Sequence, residues 1–534
     1  MTRALLHRQI VAAIPLTFVF LCAARAETRI TLVNGSPAVE DEAVLLAIDD
    51  TSLPGSRAVE RRLTRPTKHA QNPILSRGTQ GPGAYRVSSP VVLREGSKWR
   101  MWYASLADAK WHEGRVAYAE SENGVNWRQP KLRKVAFRGS RENNFVAAAP
   151  GLCATLSVLY DPKAPPDRRF VMTGEDLRYW QLSGGWSLAK NSSVTRIDTS
   201  ADGIHWNSVR EGPGLIQQQH EAHTIYRFGG LYHLGGHQIS PLLRLPEQAH
   251  GLGLYLGPRT FVVWRSPRLD RWPVEHTKAF FKPMRSSSPY RKRWDREEVH
   301  LGAAVTVRAN LCIGVYGQWH HPIGEGAPKY SGKDVSCDLG LIVSHDGLHF
   351  REPAPGSTWI RRDQELRWDR DFQQNLTEDN LILHQGSIVT TESETRIYYS
   401  ATTPGGNVGA VKSNIGLATL PRDRFGYLSK IPGNSGDGQV VSCPVRVDGS
   451  ANVVVNSAVP KGSALEVELL DEHGLDVLDD YTARPVRSGL DETVGWNNTL
   501  VPQGTRFRIR VRLRGAAKLY ALYLRAPAKE RPSE

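Results

Sequence analysis

The phrase SHDGLHF, Ser344 to Phe350, recurs as SADGIHW at Ser200 to Trp206 and as SENGVNW at Ser121 to Trp127. Two looser copies keep the frame: SPRLDRW from Ser266 to Trp272 and TLPRDRF from Thr419 to Phe425. The closing aromatics Trp127, Trp206, Trp272, Phe350 and Phe425 stand 66 to 79 residues apart. A long period means one supersecondary unit repeated and stacked, and this period has the scale of a propeller blade with extended loops. Five copies predict five blades.

The flanks of the phrases read as strands. RVAYAE, SVTRID, TFVVWR, DLGLIV and NIGLAT precede them, and KWRMWYAS, RFVMTG, LYHLGG, LCIGVYG and TRIYYSA come earlier in each repeat. Such β-branched and aromatic runs, bounded by Gly, Asn and Asp, are strand signals, and helical periodicity is almost absent. In a four-stranded blade the phrase joins third strand to fourth, where Asp-Gly or Asn-Gly supplies the positive φ of a tight turn. The closing aromatic is expected to pack between neighbouring blades. All five phrases then lie on one face, opposite the starts of the innermost strands. The phrase is scaffold, and chemistry is expected on the other side.

At the N-terminus, Arg3, His7 and Arg8 precede an apolar run from Ile10 to Cys22 that ends in Ala24-Arg25-Ala26, the pattern of a secretory signal peptide. No stretch of ~18 apolar residues follows, so no membrane span is expected. The predicted location is periplasmic or secreted. Removing Arg3, Arg8 and Arg25 leaves 65 basic against 54 acidic side chains, a formal charge of +11. That surplus favours anionic partners. Without a recognisable binding motif in an exported chain, nucleic acid is not among them. Of the four cysteines left, Cys312 and Cys337 are the most plausible local bridge, and no Cys/His spacing points to zinc.

GNSGDG, Gly433 to Gly438, ends the repeats. Beyond it Leu465, Val467 and Leu469 alternate with Glu466 and Glu468, and Phe507, Ile509, Val511 and Leu513 alternate with Arg506, Arg508, Arg510, Arg512 and Arg514. Strict period two with charge on one side predicts an antiparallel sheet covered on one face. The Glu and Arg rows are expected to pair across strands. The predicted fold is therefore all-β, a five-bladed β-propeller followed by a C-terminal β-sandwich. Its segments are a signal peptide (1–26), an N-terminal extension packing on the propeller (27–75), the propeller (76–432), a linker (433–438), the sandwich (439–527) and a disordered tail (528–534).

This organisation, with YRVSSPVVLREGSKWRMWYAS, RVAYAESENGVNW and NIGLATLPRDRFGYL, resembles the secreted five-bladed propeller glycoside hydrolases, the superfamily of invertases, fructanases and arabinanases with its family 32-like and family 43-like members. The resemblance covers nearly all of the mature chain. It implies hydrolysis of a poly- or oligosaccharide, anionic ones included, by carboxylates from the first strands of successive blades. One carboxyl delivers a proton to the leaving oxygen while another attacks the anomeric carbon or activates water. The chain departs from the pattern in the first blade, where GPGAYRVSSPVVL carries no carboxylate. In the third, QQQHEAHTIYRFGG sets Glu221 where the innermost strand begins, between His220 and His223, the place of the invertase-like acid. Partner carboxylates are Glu298 in WDREEVHLGAAV and Asp379 ahead of NLILHQGSIV.

Loops on the same face hold Trp111, Trp180, Trp186 and Trp319 for stacking on sugar faces. His320 lies beside Trp319, and Arg291 and Arg293 form a basic cluster suited to sulfate or carboxylate substituents. No metal site is expected among these residues and no cofactor is required; a structural Ca²⁺ is compatible with the resemblance. The sequence leaves the oligomeric state open. Two other readings remain: a non-catalytic glycan-binding propeller, and a sialidase-like enzyme, whose Asp-box turns the phrases resemble but whose blades usually number six.

Overall fold

The computed structural model describes residues 27–76, 86–106, 114–148, 152–176, 194–209, 216–217, 221–239, 259–272, 278–281, 295–322, 336–362, 382–402, 413–497 and 500–527. Among these the protein is all-β, with two short 3₁₀ turns and no α-helix. Among the described residues no helix is long and apolar enough to cross a membrane. The expected signal peptide and tail lie outside the described residues.

Five antiparallel units follow one another. Their first three strands are Arg86–Glu95, Lys98–Leu106 and Arg115–Ser121; Leu152–Tyr160, Phe170–Asp176 and Val194–Ser200; Glu221–Phe228, Leu231–Ile239 and Arg259–Ser266; Asp295–Arg308, Leu311–Pro322 and Ser336–Ser344; and Ile382–Thr390, Glu394–Thr402 and Ser413–Pro421. The fourth and fifth units are joined into one sheet by a single parallel bridge, Cys337 with Ile382. The five first strands touch in cyclic order, the last returning to the first. Hydroxyls latch three of the seams. Val92 N–H donates to Ser387 Oγ (2.7 Å), Ile225 N–H to Ser157 Oγ (3.2 Å) and Val305 N–H to Thr224 Oγ (3.2 Å). Each first strand also carries a register shift, located between Ser88 and Val91, Leu152 and Leu156, Glu221 and Thr224, His300 and Ala303, and Gln385 and Ile388.

The phrases follow the third strands, as expected, and they are held by their own side chains. Ser121 Oγ accepts from Gly124 N–H (2.9 Å), and Asn123 Oδ1 accepts from the N–H groups of Val125 and Asn126 (both 2.9 Å). Asp202 and Asp346 repeat the pattern on the two N–H groups that follow their glycines. These Asx turns explain the Asp or Asn, and the glycines sit at φ of 72°, 76° and 71°. A neighbouring unit then closes on each turn. Tyr398 OH donates to Gly124 O (2.9 Å), Trp102 Nε1 to Gly203 O (2.7 Å) and Tyr226 OH to Gly347 O (2.5 Å). The closing aromatics bridge units as well: Trp206 packs with Trp102 and Phe170, Trp272 with Val171 and Trp264, and Phe350 with Tyr226 and Ile342. Burying one such ring contributes about 2–3 kcal/mol.

Two further sheets share a separate core of Ile30, Leu45, Val453, Leu465, Val511 and Leu522 among others. The charged rows pair as expected: Glu468 meets Arg510 (2.5 Å) and Arg512 (2.9 Å), while Phe507, Ile509, Val511 and Leu513 point inward. The N-terminal segment packs against the fourth and fifth units through Val44, Leu46 and Ile48, while its strands hydrogen-bond elsewhere. Arg29–Leu32, Glu42–Leu46, Gly55–Arg57 and Val59–Leu63 are hydrogen-bonded into these two sheets, and so is Gly426–Lys430, just after the last phrase. Thr67–Lys68 and Leu75–Ser76 join the repeats, as the outer strand beside Ser413–Pro421. The chain thus completes its fifth unit with residues from before its first. Cys312 and Cys337 are buried free thiols. They pair in register with Ser344 and Trp319, at opposite ends of one hairpin ladder, so the expected bridge is not formed.

Candidate functional site

The first strands begin, and the second strands end, on the face away from the phrases. Glu221 opens Glu221–Phe228 and its backbone pairs with His237; Glu298 pairs with Trp319 and Glu297 with His320. Their two strands touch along the ring. Of Glu221, His223 and Glu298 only the backbone is described. His220, Asp379, Trp111, Trp180, Trp186, Arg291 and Arg293 lie outside the described residues.

Between these strands and the fifth unit lies a buried polar group. The Trp319 ring is buried and stacks on His300, with centroids 4.1 Å apart and planes 28° apart. One face of that indole is therefore already covered by protein. The His300 ring lies 5.2 Å from that of His384, and Arg86 NH2 donates to His384 Nε2 at 3.0 Å. This line of rings crosses from the fourth unit through the fifth to the first. Burial, and after it the Arg86 charge, holds His384 well below the ordinary histidine value, so the ring is neutral.

A second group supports the first. Asp338, fully buried, accepts from Arg362 N–H (2.8 Å) and Arg362 NH1 (2.5 Å). His320 Nε2 stands 3.3 Å from Asp338 Oδ2, an ion-pair distance without hydrogen-bond alignment. Burial works to raise the Asp338 carboxyl, but the His320 ring and the Arg362 guanidinium outweigh it and keep the pKa below the usual carboxylate value. Gln318 is tied by Nε2 to Tyr316 OH (2.9 Å) and by Oε1 to Thr358 (2.9 Å). Trp319 and His320 thus sit on a strand end whose polar neighbours are fixed.

Beneath lies an axial cavity of about 100 Å³ to which all five first strands contribute, among them Val91, Ser157, Thr224, Ala304 and Gln385. Among the described residues no group of three or more His, Cys, Asp and Glu is placed to hold a metal ion. Sequence reasoning named Glu221, Glu298, Trp319 and His320 but missed His384, Arg86, Asp338 and Arg362. A signal was present: VHLG in the fourth unit and LHQG in the fifth both interrupt an apolar first strand with His-x-Gly.

No family model matches the chain. Two uncharacterised proteins of Mycobacterium tuberculosis, from two strains, are each 26% identical over 168 residues, which is 30% of this chain and 51% of the relative. The chain therefore spans about half the length of those relatives. Among solved structures, it is similar to a member of the GH130 family of mannoside phosphorylases and glycoside hydrolases that target β-1,2 mannosidic linkages in Candida mannan (TM-score 0.42, 13% identity, 67% of this chain and 94% of that one). It is also similar to a family 43 arabinoxylan arabinofuranohydrolase from Bacillus subtilis (TM-score 0.37, 12% identity, 87% and 99%). At such scores the reading of the site rests on the geometry above.

Proposed function

We propose that the protein is an exported glycoside hydrolase built on a five-bladed propeller with a β-sandwich behind it. The cyclic contact of five first strands around one axial cavity supports the propeller. The observation that carries the activity is the placement of Glu221 and Glu298 near the starts of two touching first strands, at one end of that ring. In this reading Glu221 is the general acid that protonates the leaving oxygen, and Glu298 attacks the anomeric carbon or activates water. Asp379 remains a candidate for the second role. Carboxyl groups about 5 Å apart retain configuration and groups about 6.5–9.5 Å apart invert it, so the anomer of the first-formed product assigns the mechanism. The basic balance favours anionic glycans. No cofactor enters the chemistry, and the chain works outside the cytoplasm once 1–26 is removed.

The test is product release from a panel of neutral, uronic and sulfated glycans by wild type, Glu221→Gln and Glu298→Gln. Cleavage of one class by wild type, lost in both variants, is the expected result. Cleavage that survives in Glu221→Gln moves the acid elsewhere. One observation favours a non-catalytic glycan-binding propeller instead: Arg86–Glu95, the first strand of the first unit, presents Ser88 and Ser89 near its start, and its only carboxylate, Glu95, ends it. Glycan binding without cleavage of any class would establish that reading.

A further inference from the structure

The loop RQPKLRKVAFRGSRE, Arg128 to Glu142, leaves the third strand of the first unit at the Glu120–Arg128 bridge and returns to it at Ala117–Phe145. It carries six cations, Arg128, Lys131, Arg133, Lys134, Arg138 and Arg141, all exposed, against one carboxylate, Glu142. A net charge of +5 is thus gathered in 15 residues, more than a third of the formal +14 of the whole chain. The carboxylates in reach are already shared: Glu142 between Arg133 (2.7 Å) and Lys131 (3.1 Å), and Glu120 between Arg128 (2.8 Å) and Lys98 (2.7 Å). The arginine row of the sandwich differs, since Arg510 and Arg512 converge on Glu468 and Arg514 meets both Asp437 and Glu466. That row is largely neutralised, and the loop is not.

The loop also holds its cations on a fixed frame. Phe137 and Ser140 exchange N–H···O bonds of 2.9 and 3.1 Å across Arg138 and Gly139, whose φ of 50° and 80° follow the type I′ pattern. Asn or Gly is usual at such a tip, yet an arginine stands there, and a second, Arg133, has φ of 58°. Asn143 Nδ2 donates to Val135 O (2.9 Å), and the Phe137 ring meets Phe145 edge-on with centroids 5.4 Å apart. The guanidinium carbon of Arg115 lies 5.6 Å from the Phe137 ring, and that of Arg138 5.2 Å. Arg115 opens the third strand, at the mouth end of the unit. The basic edge therefore reaches toward the mouth.

We propose that this loop is a docking surface for an anionic polysaccharide, a glycan chain bearing carboxylates or sulfates. Charge complementarity sets the sign of the partner, and four arginines suit planar, two-pronged contacts to those groups. An anionic lipid surface fits less well, because the large apolar side chains of the loop, Leu132, Val135 and Phe137, turn inward onto the cores of the first unit and leave little to enter a bilayer. The surface lies apart from Glu221 and Glu298, and binding there goes beyond the hydrolase reading and does not require it.

The experiment follows fluorescence anisotropy of labelled heparin, polygalacturonate and neutral dextran at about 50 mM salt, where exposed charges are weakly screened. Wild type is compared with Lys131→Gln/Lys134→Gln/Arg138→Asn and with a control, Arg57→Gln/Lys461→Gln/Arg506→Gln, that removes the same charge from exposed positions of the C-terminal sheets and their turns. Wild type and control are expected to bind at least one anionic polymer alike and to leave dextran unbound. Each exposed charge pair contributes a factor of about 1.5 to 5, so the loop variant is expected to lose about tenfold in affinity. Asn suits the tip, and all three variants of the loop are at exposed positions, so its melting temperature is expected within a few degrees of wild type. Equal affinity in loop variant and wild type, equal losses in both triple variants, or no binding of either anionic polymer overturns the surface. Loop-dependent binding to phosphatidylglycerol vesicles with both polymers unbound overturns it in favour of a membrane contact. Loop-dependent polymer binding without cleavage of any glycan keeps the surface and removes the hydrolase reading; cleavage without loop-dependent binding does the opposite.

Discussion

The two ends of the ring are made by the same strands, yet they treat their polar groups differently. At the phrase end, Ser121, Asn123, Asp202 and Asp346 spend their oxygens on local N–H groups, and Tyr398, Trp102 and Tyr226 donate to the turn carbonyls of the next unit. Trp127 Nε1, Arg100 Nε and the His233 ring are among the leftovers there. At the mouth, Ser88 Oγ, Ser105 Oγ, His384 Nδ1, Gln385 Oε1 and Ser400 Oγ are all buried with no hydrogen-bond partner among the described residues. A satisfied end adds stability, and an end with unmade buried bonds gives some of it up.

If that contrast is right, mutations at the mouth cost activity and spare stability, and mutations at the phrase end do the reverse. The largest effect is expected for Glu221→Gln, a fall of about 10²–10⁴ in kcat on the cleaved glycan, with the urea midpoint unchanged. A midpoint that moved with activity would erase the contrast. Next comes Gly203→Ala. Its φ is +76° and an added Cβ would lie 2.7 Å from the Trp102 ring, so left-handed strain of ~1–2 kcal/mol adds to overpacking of ~1–3 kcal/mol. Denaturation should show that loss, with kcat/KM of the folded fraction preserved.

His233 sharpens the comparison through pH. It is buried, stacks on Tyr226 with centroids 5.0 Å apart, and burial pushes its pKa down to about 4 from 6.5. The unfolded chain takes up a proton near pH 6.5 that the folded chain refuses until about pH 4. The unfolded state therefore binds more protons in that window, and stability falls on acidification through it, by on the order of 3 kcal/mol in all. His233→Phe should flatten that part of the stability profile; an unchanged slope would place the titration elsewhere. The smallest effect is that of Tyr398→Phe, which leaves Gly124 O unmatched at a cost of about 1 kcal/mol, read from the same denaturation curves with activity intact.

Much of the scaffold was legible because its information is local. Ser-x-Asp-Gly-x-x-Trp writes a turn into seven residues, and alternation such as RFRIRVRLR writes a buried face into nine. The strand starts at Glu221 and near Glu298 were legible for the same reason. The mouth was much less so. Its Arg86 and His384 are 298 residues apart, and the His300 ring that covers one face of Trp319 comes from another strand.

The sequence by itself determined the repeat, the strand order within each unit, the turn chemistry and the amphipathic faces, since each depends on neighbours within a few residues. Tertiary structure alone decided that Thr67–Lys68 and Leu75–Ser76 close the fifth unit, that Arg29–Leu32 and Glu42–Leu46 belong to the C-terminal sheets, and that Cys312 and Cys337 stand too far apart along their ladder to meet. An edge strand offers unpaired N–H and C=O groups to any segment that can reach it. Which segment arrives is settled by the closure of the whole chain, and no local pattern records it.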